Sequence, residues 1–328
     1  MAEAIAKQLL GVLQQRFARR WHLDLDAAEL VMRPRRPVQG KPRRRVPSPG
    51  EVVHAMHQVF ADHGVHRPPL LPIRWGRDTD LLISAIQGLD PWLKDGADRV
   101  WREGFLPQPV VRFTGEHDEG GWLRDGFLTS FVNLSCVQRI SGVDRHVVLL
   151  DAWLDALSAV GVHAGRLCIA GSLHIWQRGT VSGITLHMSC DGIGFADAVL
   201  LWHTADPRRL ATDLGSGLER LRWLLSPLSW AETVFGADAE RFDVDVLDAV
   251  RTATLLIMAG TRKNGSGAGS VRRVARRIPV TLAASGLGRL VRAQRTYWTE
   301  IGMAGTPWPQ VAEILEAEVL TRRAARPR

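Results

Sequence analysis

Residues 213–220 read Asp-Leu-Gly-Ser-Gly-Leu-Glu-Arg, a stretch that joins a backbone-access signal to a charge signal. Gly215 and Gly217, two apart, remove side chains that would hold a flat or charged ligand off the main chain. Glu219-Arg220 then opens an amphipathic helix whose arginine can project toward phosphate. The chemistry implied is nucleotide binding, although an ordinary strand-to-helix turn carries the same glycines. A second candidate cation, Arg112, lies on the strand-like segment Val110-Val111-Arg112-Phe113. The turn Thr114-Gly115-Glu116-His117-Asp118 follows, and Phe127 to Cys136 reads as a returning strand.

The elements that must position these residues change in kind along the chain. Met1 to Trp21 is basic and amphipathic, with Ile5, Leu9, Leu13 and Phe17 at helical spacing and no uninterrupted apolar region, which predicts an ordinary helix rather than a secretory signal. From 33 to 50, arginines and lysines alternate with Pro34, Pro37 and Pro42, so the segment is expected to be a linker. Helical periodicity resumes at Glu51, where Val52, Val53, Met56, Val59 and Phe60 share a face and Gly64 supplies a stop. Strand-like pieces at 127–137, 166–175, 181–188 and 196–202 surround a helical stretch from Val147 to Val160. They lack regular helical crossovers, which favours an antiparallel α+β arrangement. Beyond Arg220 the pattern predicts helices at 218–225, 245–259, 270–284, 286–300 and 308–324, with a flexible glycine-rich turn at 264–269. The expected organisation is a helix and basic linker over 1–49, a catalytic domain over 50–225 and a helical domain over 226–328.

The 328 residues are 45% hydrophobic, enough to bury one large or two medium cores. No apolar run reaches the roughly 18 residues that a membrane span requires, so no membrane partner is expected. Cys136, Cys168 and Cys190 lack zinc or disulfide spacing, which predicts no metal site and fits a cytoplasmic protein. The net charge of +8 is concentrated at 33–45 and at 262–277. Arg272, Arg273, Arg276 and Arg277 are expected to share one side of a helix, where a basic stripe can meet phosphate or solvent.

Gly-x-Gly-x-Glu-Arg resembles the third signature motif of class II aminoacyl-tRNA synthetases, and the Arg112 segment resembles their second. The resemblance runs from about Glu51 to Ile278 and is nearest the alanyl branch. Glu51 to Gly64 resembles that branch's opening helix, and Asp78-Thr79-Asp80-Leu81-Leu82 its next segment. His174-Ile175-Trp176-Gln177-x-Gly179 resembles Asn-Phe-Trp-Gln-x-Gly, and Leu201-Trp202-His203 falls where the family has Ile-Trp-Asn. The likeness implies an antiparallel sheet flanked by helices, followed by a smaller all-helical domain. It further implies that Arg112 and Arg220 grip ATP phosphates, that Gly215 and Gly217 admit the adenosine, and that Mg²⁺ accompanies ATP. Trp176 and His203 would shape an amino-acid pocket in which Asp213 holds the ammonium group.

This chain departs from the family at Glu116, where a lysine is usual, at His203, which replaces the pocket asparagine, and near Leu186-His187, where a glutamate is missing. These departures bear on the choice of amino acid and on full synthetase activity. The chain ends at Arg328, before the editing and oligomerisation regions of an alanyl enzyme. Discriminating alanine by one methylene offers only roughly 1–3 kcal/mol, which without editing suits an acceptor for which errors are cheap. The leading expectation is therefore ATP-dependent activation of alanine, or a similar small amino acid, for transfer to a non-tRNA acceptor such as a small metabolite, nucleoside or carrier. Aminoacylation of tRNA, and a non-catalytic paralogue that binds RNA or a protein partner, are the alternatives.

Overall fold

In the computed structural model, which describes residues 2–38, 45–113, 118–119, 123–260 and 266–324, the chain folds as two units. The first comprises Met1–Leu71, Ala85–Gln108 and Asn133–Pro227, and the second Pro72–Ser84, Pro109–Val132 and Leu228–Arg328. Among the described residues the fold is α+β, with eleven α-helices and a nine-stranded antiparallel sheet. In chain order the first elements are α1 (Ala2–Phe17), β1 (Trp21–Asp26), β2 (Glu29–Pro34), α2 (Pro49–Asp62), α3 (Asp90–Leu93), β3 (Gly104–Val111), β4 (Ser130–Ile140) and α4 (Val143–Val160). Next come β5 (Leu167–Ser172), β6 (Trp176–Arg178), β7 (Val181–Cys190), β8 (Ile193–His203), β9 (Asp206–Gly217) and α5 (Leu218–Leu224). Helices complete the chain: α6 (Trp230–Phe235), α7 (Val244–Met258), α8 (Ser266–Ala275), α9 (Val280–Ser285), α10 (Leu287–Glu300) and α11 (Trp308–Ala324). None of the described helices is long and apolar enough to cross a membrane.

The sheet order is β1-β2-β5-β7-β8-β9-β4-β3, with β6 pairing β7. In the first unit, α4 is apolar nearly all round, because it lies between the back of β8 and β9 and the helices α1 and α2. The predicted stripe Ile5, Leu9, Leu13 and Phe17 of α1 is buried, and Arg16 and Arg20 both close on Asp151 of α4 at 2.7 Å. Helix α2 begins with a capping box: Ser48 Oγ accepts from the Glu51 amide while the Glu51 carboxylate accepts from the Ser48 amide. Its buried Phe60 stacks on Phe105 and tilts against Trp153. On the opposite, front face of the sheet, Ala85, Leu89 and Leu93 pack with Leu106, Val137, Leu201 and Ala211.

Several local expectations are corrected. Arg33 and Pro34 end a strand rather than start a linker, since Trp21–Pro34 forms the hairpin β1–β2; positions 39–44 lie outside the described residues. The stretch 270–284 is two helices, because Pro279 has no amide donor to continue α8 and instead caps α9. Residues 266–269 are the first turn of α8 rather than a flexible turn, while Asn264 and Gly265 are not described. Gly215 and Gly217 sit within the long strand β9, and Glu219-Arg220 opens α5 as expected.

Helix α7 organises the second unit, and its buried face carries Asp248, Arg251, Thr252 and Thr254. Asp248 accepts from the Thr129 amide at 2.8 Å and from Arg277 at 3.0 Å, and Arg277 also reaches Asp245 at 2.8 Å. Arg251 is fully buried between the rings of Tyr297 and Trp298, 4.0 and 4.3 Å from their centroids, and donates to the Ser130 carbonyl and Gln294. Its charge is delocalised and always present, so stacking plus hydrogen bonding is the arrangement that makes such burial tolerable.

Candidate functional site

Directly opposed residues of antiparallel strands project from the same face, so register assembles the front of the sheet row by row. One row runs Thr185, Val199, Asp213 and Val137 across β7, β8, β9 and β4. The next runs His187, Asp197, Gly215 and Ser135. On the other side of the first row lie Gly183, Leu201, Ala211 and Arg139, with Trp176 of β6 opposite Gly183. The Trp176 indole crosses from its own row to the next. It lies over Gly183, where an added Cβ would come within 2.5 Å of Cζ2, and its Nε1 donates to Thr185 Oγ1 at 3.0 Å.

Trp176 and Asp213 thus belong to one patch, separated by the half-buried Val199 and by about 10 Å of two strand spacings. Gly215 is central to it. A Cβ there would stand 3.0 Å from Ser135 Oγ, 3.5 Å from Asn133 Nδ2 and 3.6 Å from Asp213 Oδ1. The bare main chain is therefore ringed by polar side chains. Ser135 Oγ is fully buried and, among the described residues, has no hydrogen-bond partner. Asn133, opposite Gly217, uses its Oδ1 to accept from the Ala85 amide at 2.9 Å. Arg220, in the first turn of α5, is half-exposed and reaches toward the Gly194 carbonyl at 3.5 Å.

The back of the same strands is chemically quiet. Burial pushes the Cys136 thiol up, the Asp213 carboxylate adds to the rise and Arg145 opposes it, so Cys136 is an unreactive core residue. His146 of α4 is held at about 4 by burial and shares a 2.7 Å hydrogen bond with Thr212.

His203 lies one row beyond that of Trp176, Gly183 and Leu201. It pairs with Val181 and Asp206 at the end of the β8–β9 hairpin, four residues, or about 13 Å, along β8 from Val199. Its Nδ1 accepts from the Ala205 amide at 3.2 Å, and Nε2 faces Gly96. Arg112 belongs to the second unit and lies one residue beyond β3 rather than on a strand. Its Nε donates to the Ile83 carbonyl at 2.7 Å, its guanidinium stacks 5.0 Å from the Phe131 centroid, and its amide donates to Thr129. Glu116 lies outside the described residues.

The basic stripe is dismantled by the end of α8 at Ala275, which leaves Arg276 and Arg277 in a turn. Arg272 pairs with Glu318 at 2.8 Å, Arg273 stacks over Phe113, and Arg277 is committed to Asp245 and Asp248. Thr185, Ser135, His187 and Asp197 were not singled out from sequence as site residues. The Asp191-Gly192 pair is a hairpin signal that would have placed β7 against β8 and drawn these residues toward the patch. Compared with models of known protein families and with curated proteins, the chain matches none.

Proposed function

We propose that the chain activates a small amino acid, alanine in the first instance, with ATP, and passes the resulting acyl group to a small-molecule or carrier acceptor. The observation that carries the reading is the front-face patch. A carboxylate, an apolar strip and an indole lie in order across β9, β8 and β7, beside a bare glycine and an orphaned serine hydroxyl.

In this reading Asp213 holds the substrate ammonium, and Val199 and Trp176 contact a short apolar side chain. Gly215 and Gly217 let the nucleotide lie against β9, Ser135 donates to it, and Arg220 on α5 meets phosphate. A substrate carboxylate oxygen attacks the α-phosphorus, pyrophosphate leaves, and aminoacyl-adenylate is the product. Among the described residues no three His, Cys, Asp or Glu side chains converge as a metal cage. Mg²⁺ arriving with nucleotide phosphates needs only one or two protein carboxylates, so the donor set is compatible with it. His203, one row beyond Trp176, would stand at the margin of the pocket. A small acceptor is favoured over tRNA because Arg272 and Arg277 are spent on internal carboxylates, which removes half of the stripe that would track a phosphate backbone.

The test is amino-acid-dependent exchange of pyrophosphate into ATP. Exchange with alanine or another small amino acid is expected, and Asp213→Ala should lower it by about a hundredfold or more. Silence with all twenty amino acids would sink the activation reading. Near-normal exchange in the variant would show that the ammonium binds elsewhere.

A further inference from the structure

Two residues of the row through Gly215 and Ser135 remain without a role, His187 and Asp197. They are neighbours because of an irregularity. The β7–β8 hairpin turns at Asp191-Gly192, both left-handed with φ of 50° and 84°, and pairs Cys190 with Ile193 and Ser189 with Gly194. A regular ladder would next oppose His187 to Ala196 and turn the Asp197 side chain to the apolar back of the sheet. Instead the register shifts between Met188 and Ser189: Phe195 is the extra residue, Met188 opposes Ala196 and His187 opposes Asp197. A bulge of this kind re-aims side chains, and here it brings a histidine and a carboxylate to one face.

His187 Nδ1 lies 2.7 Å from Asp197 Oδ1, and both side chains are more than half exposed. A carboxylate beside Nδ1 accepts a hydrogen bond from Nδ1–H, so the neutral ring carries its proton there and Nε2 is left as the basic nitrogen. The pair borders the patch on two sides. Asp197 is directly beside Gly215, and His187 is two residues, or about 7 Å, along β7 from Thr185, which holds the Trp176 indole.

Resting on the activation reading above, we infer that His187, oriented by Asp197, is the general base of the transfer step, and that the acceptor is a small amine or alcohol. The acceptor heteroatom attacks the carbonyl carbon of the aminoacyl-adenylate and forms the new C–N or C–O bond. The bond from that carbon to the phosphate oxygen breaks, and AMP departs with the electron pair. The acceptor's proton passes to His187 Nε2 and from there to solvent. His187 is the catalytic residue and Asp197 the positioning residue.

The experiment compares the two half-reactions in the full chain, using pyrophosphate exchange for activation and single-turnover AMP release for transfer. Ethanolamine is the probe acceptor, with water as the ever-present competitor, and hydroxylamine traps adenylate without needing a base. In His187→Ala, exchange and hydroxamate formation should fall no more than about threefold while AMP release falls about a hundredfold, within the usual range for a lost general base. Added imidazole should restore part of the loss in His187→Ala and none in Asp197→Asn, and Asp197→Glu should keep most of the wild-type rate. Unchanged AMP release would reduce the pair to an exposed cross-strand contact and overturn the inference while activation stands. A parallel loss of exchange and release, without imidazole rescue, would make the role structural and overturn it too. Absence of exchange in the wild-type chain would remove the activation reading and this inference with it.

Discussion

The two units use polar side chains in opposite ways. Around α7 of the second unit, Asp248, Arg251 and Arg277 are tied to one another's neighbours, to main-chain groups and to aromatic faces, all within that unit. On the front of the sheet in the first unit, Asp213, Ser135, Thr185, His187 and Asp197 stand in two parallel rows that pass from buried Ser135 to exposed His187. The first pattern converts buried charge into a fixed local geometry, and it holds Thr129 and Ser130 in particular. The second sets polar groups, some paired with one another, along strand main chain that carries a glycine at Gly215, on a face that grades toward solvent. Perturbing one pattern should therefore read out in stability, and perturbing the other in chemistry.

The sharpest way to break this contrast is Asp248→Ala. It strips the Thr129 amide of its acceptor and removes one of two carboxylates from Arg277, at an expected cost of about 3–5 kcal/mol. Denaturant unfolding, followed by hydrogen exchange at α7 and α10 amides, measures it. A loss below about 1 kcal/mol would mean that the network is decoration rather than scaffold.

A second prediction concerns the quiet back of the sheet. His146 has its folded value lowered to about 4 from 6.5, so between those limits the unfolded chain binds a proton that the folded chain refuses. Stability contributed by neutral His146 is thus full above about pH 6.5, falls as pH drops through that value, and is gone below about pH 4. The total amounts to about 3 kcal/mol. His146→Gln, which keeps a hydrogen-bonding group near Thr212, should flatten that part of the stability curve. An unaltered slope would show that other groups carry the acid sensitivity.

Helices were more legible than pairings. Ile5, Leu9, Leu13 and Phe17, or Val52, Val53, Met56, Val59 and Phe60, announce a buried stripe within one segment, and the structure buries all of them but the half-buried Val59. The hairpin β1–β2 went unread because its loop is Ala27-Ala28: Ala27 takes a φ of 52° without the glycine or asparagine that normally advertises it. The patch was legible only in pieces. Trp176, Asp213 and Gly215 could each be named, yet their shared face depends on four strand registers and on a bulge at Phe195 that no local residue signals. The same non-local geometry sets His203 two residues beyond the Leu201 row, since its place along β8 is set by where the β8–β9 hairpin closes.

The smallest expected effect tests how finely the patch is built. Gly183 is buried beneath the Trp176 indole, and an added methyl would stand 2.5 Å from Cζ2, 2.9 Å from Cε2 and 2.9 Å from the Leu200 carbonyl oxygen. The backbone oxygen cannot yield without disturbing the β7–β8 ladder, so the ring must move, and its 3.0 Å bond to Thr185 is lost. Gly183→Ala should therefore cost about 1–3 kcal/mol in stability, the range for overpacking a close-fitted site. If the indole bounds the amino-acid pocket, the same variant should raise the KM for alanine in pyrophosphate exchange more than it lowers kcat, because binding and not phosphate chemistry is disturbed. A destabilised variant with unchanged KM would leave Trp176 as a packing residue. That result would confine the patch to Asp213, Gly215 and Ser135, and would move the apolar wall of the pocket to a residue other than Trp176.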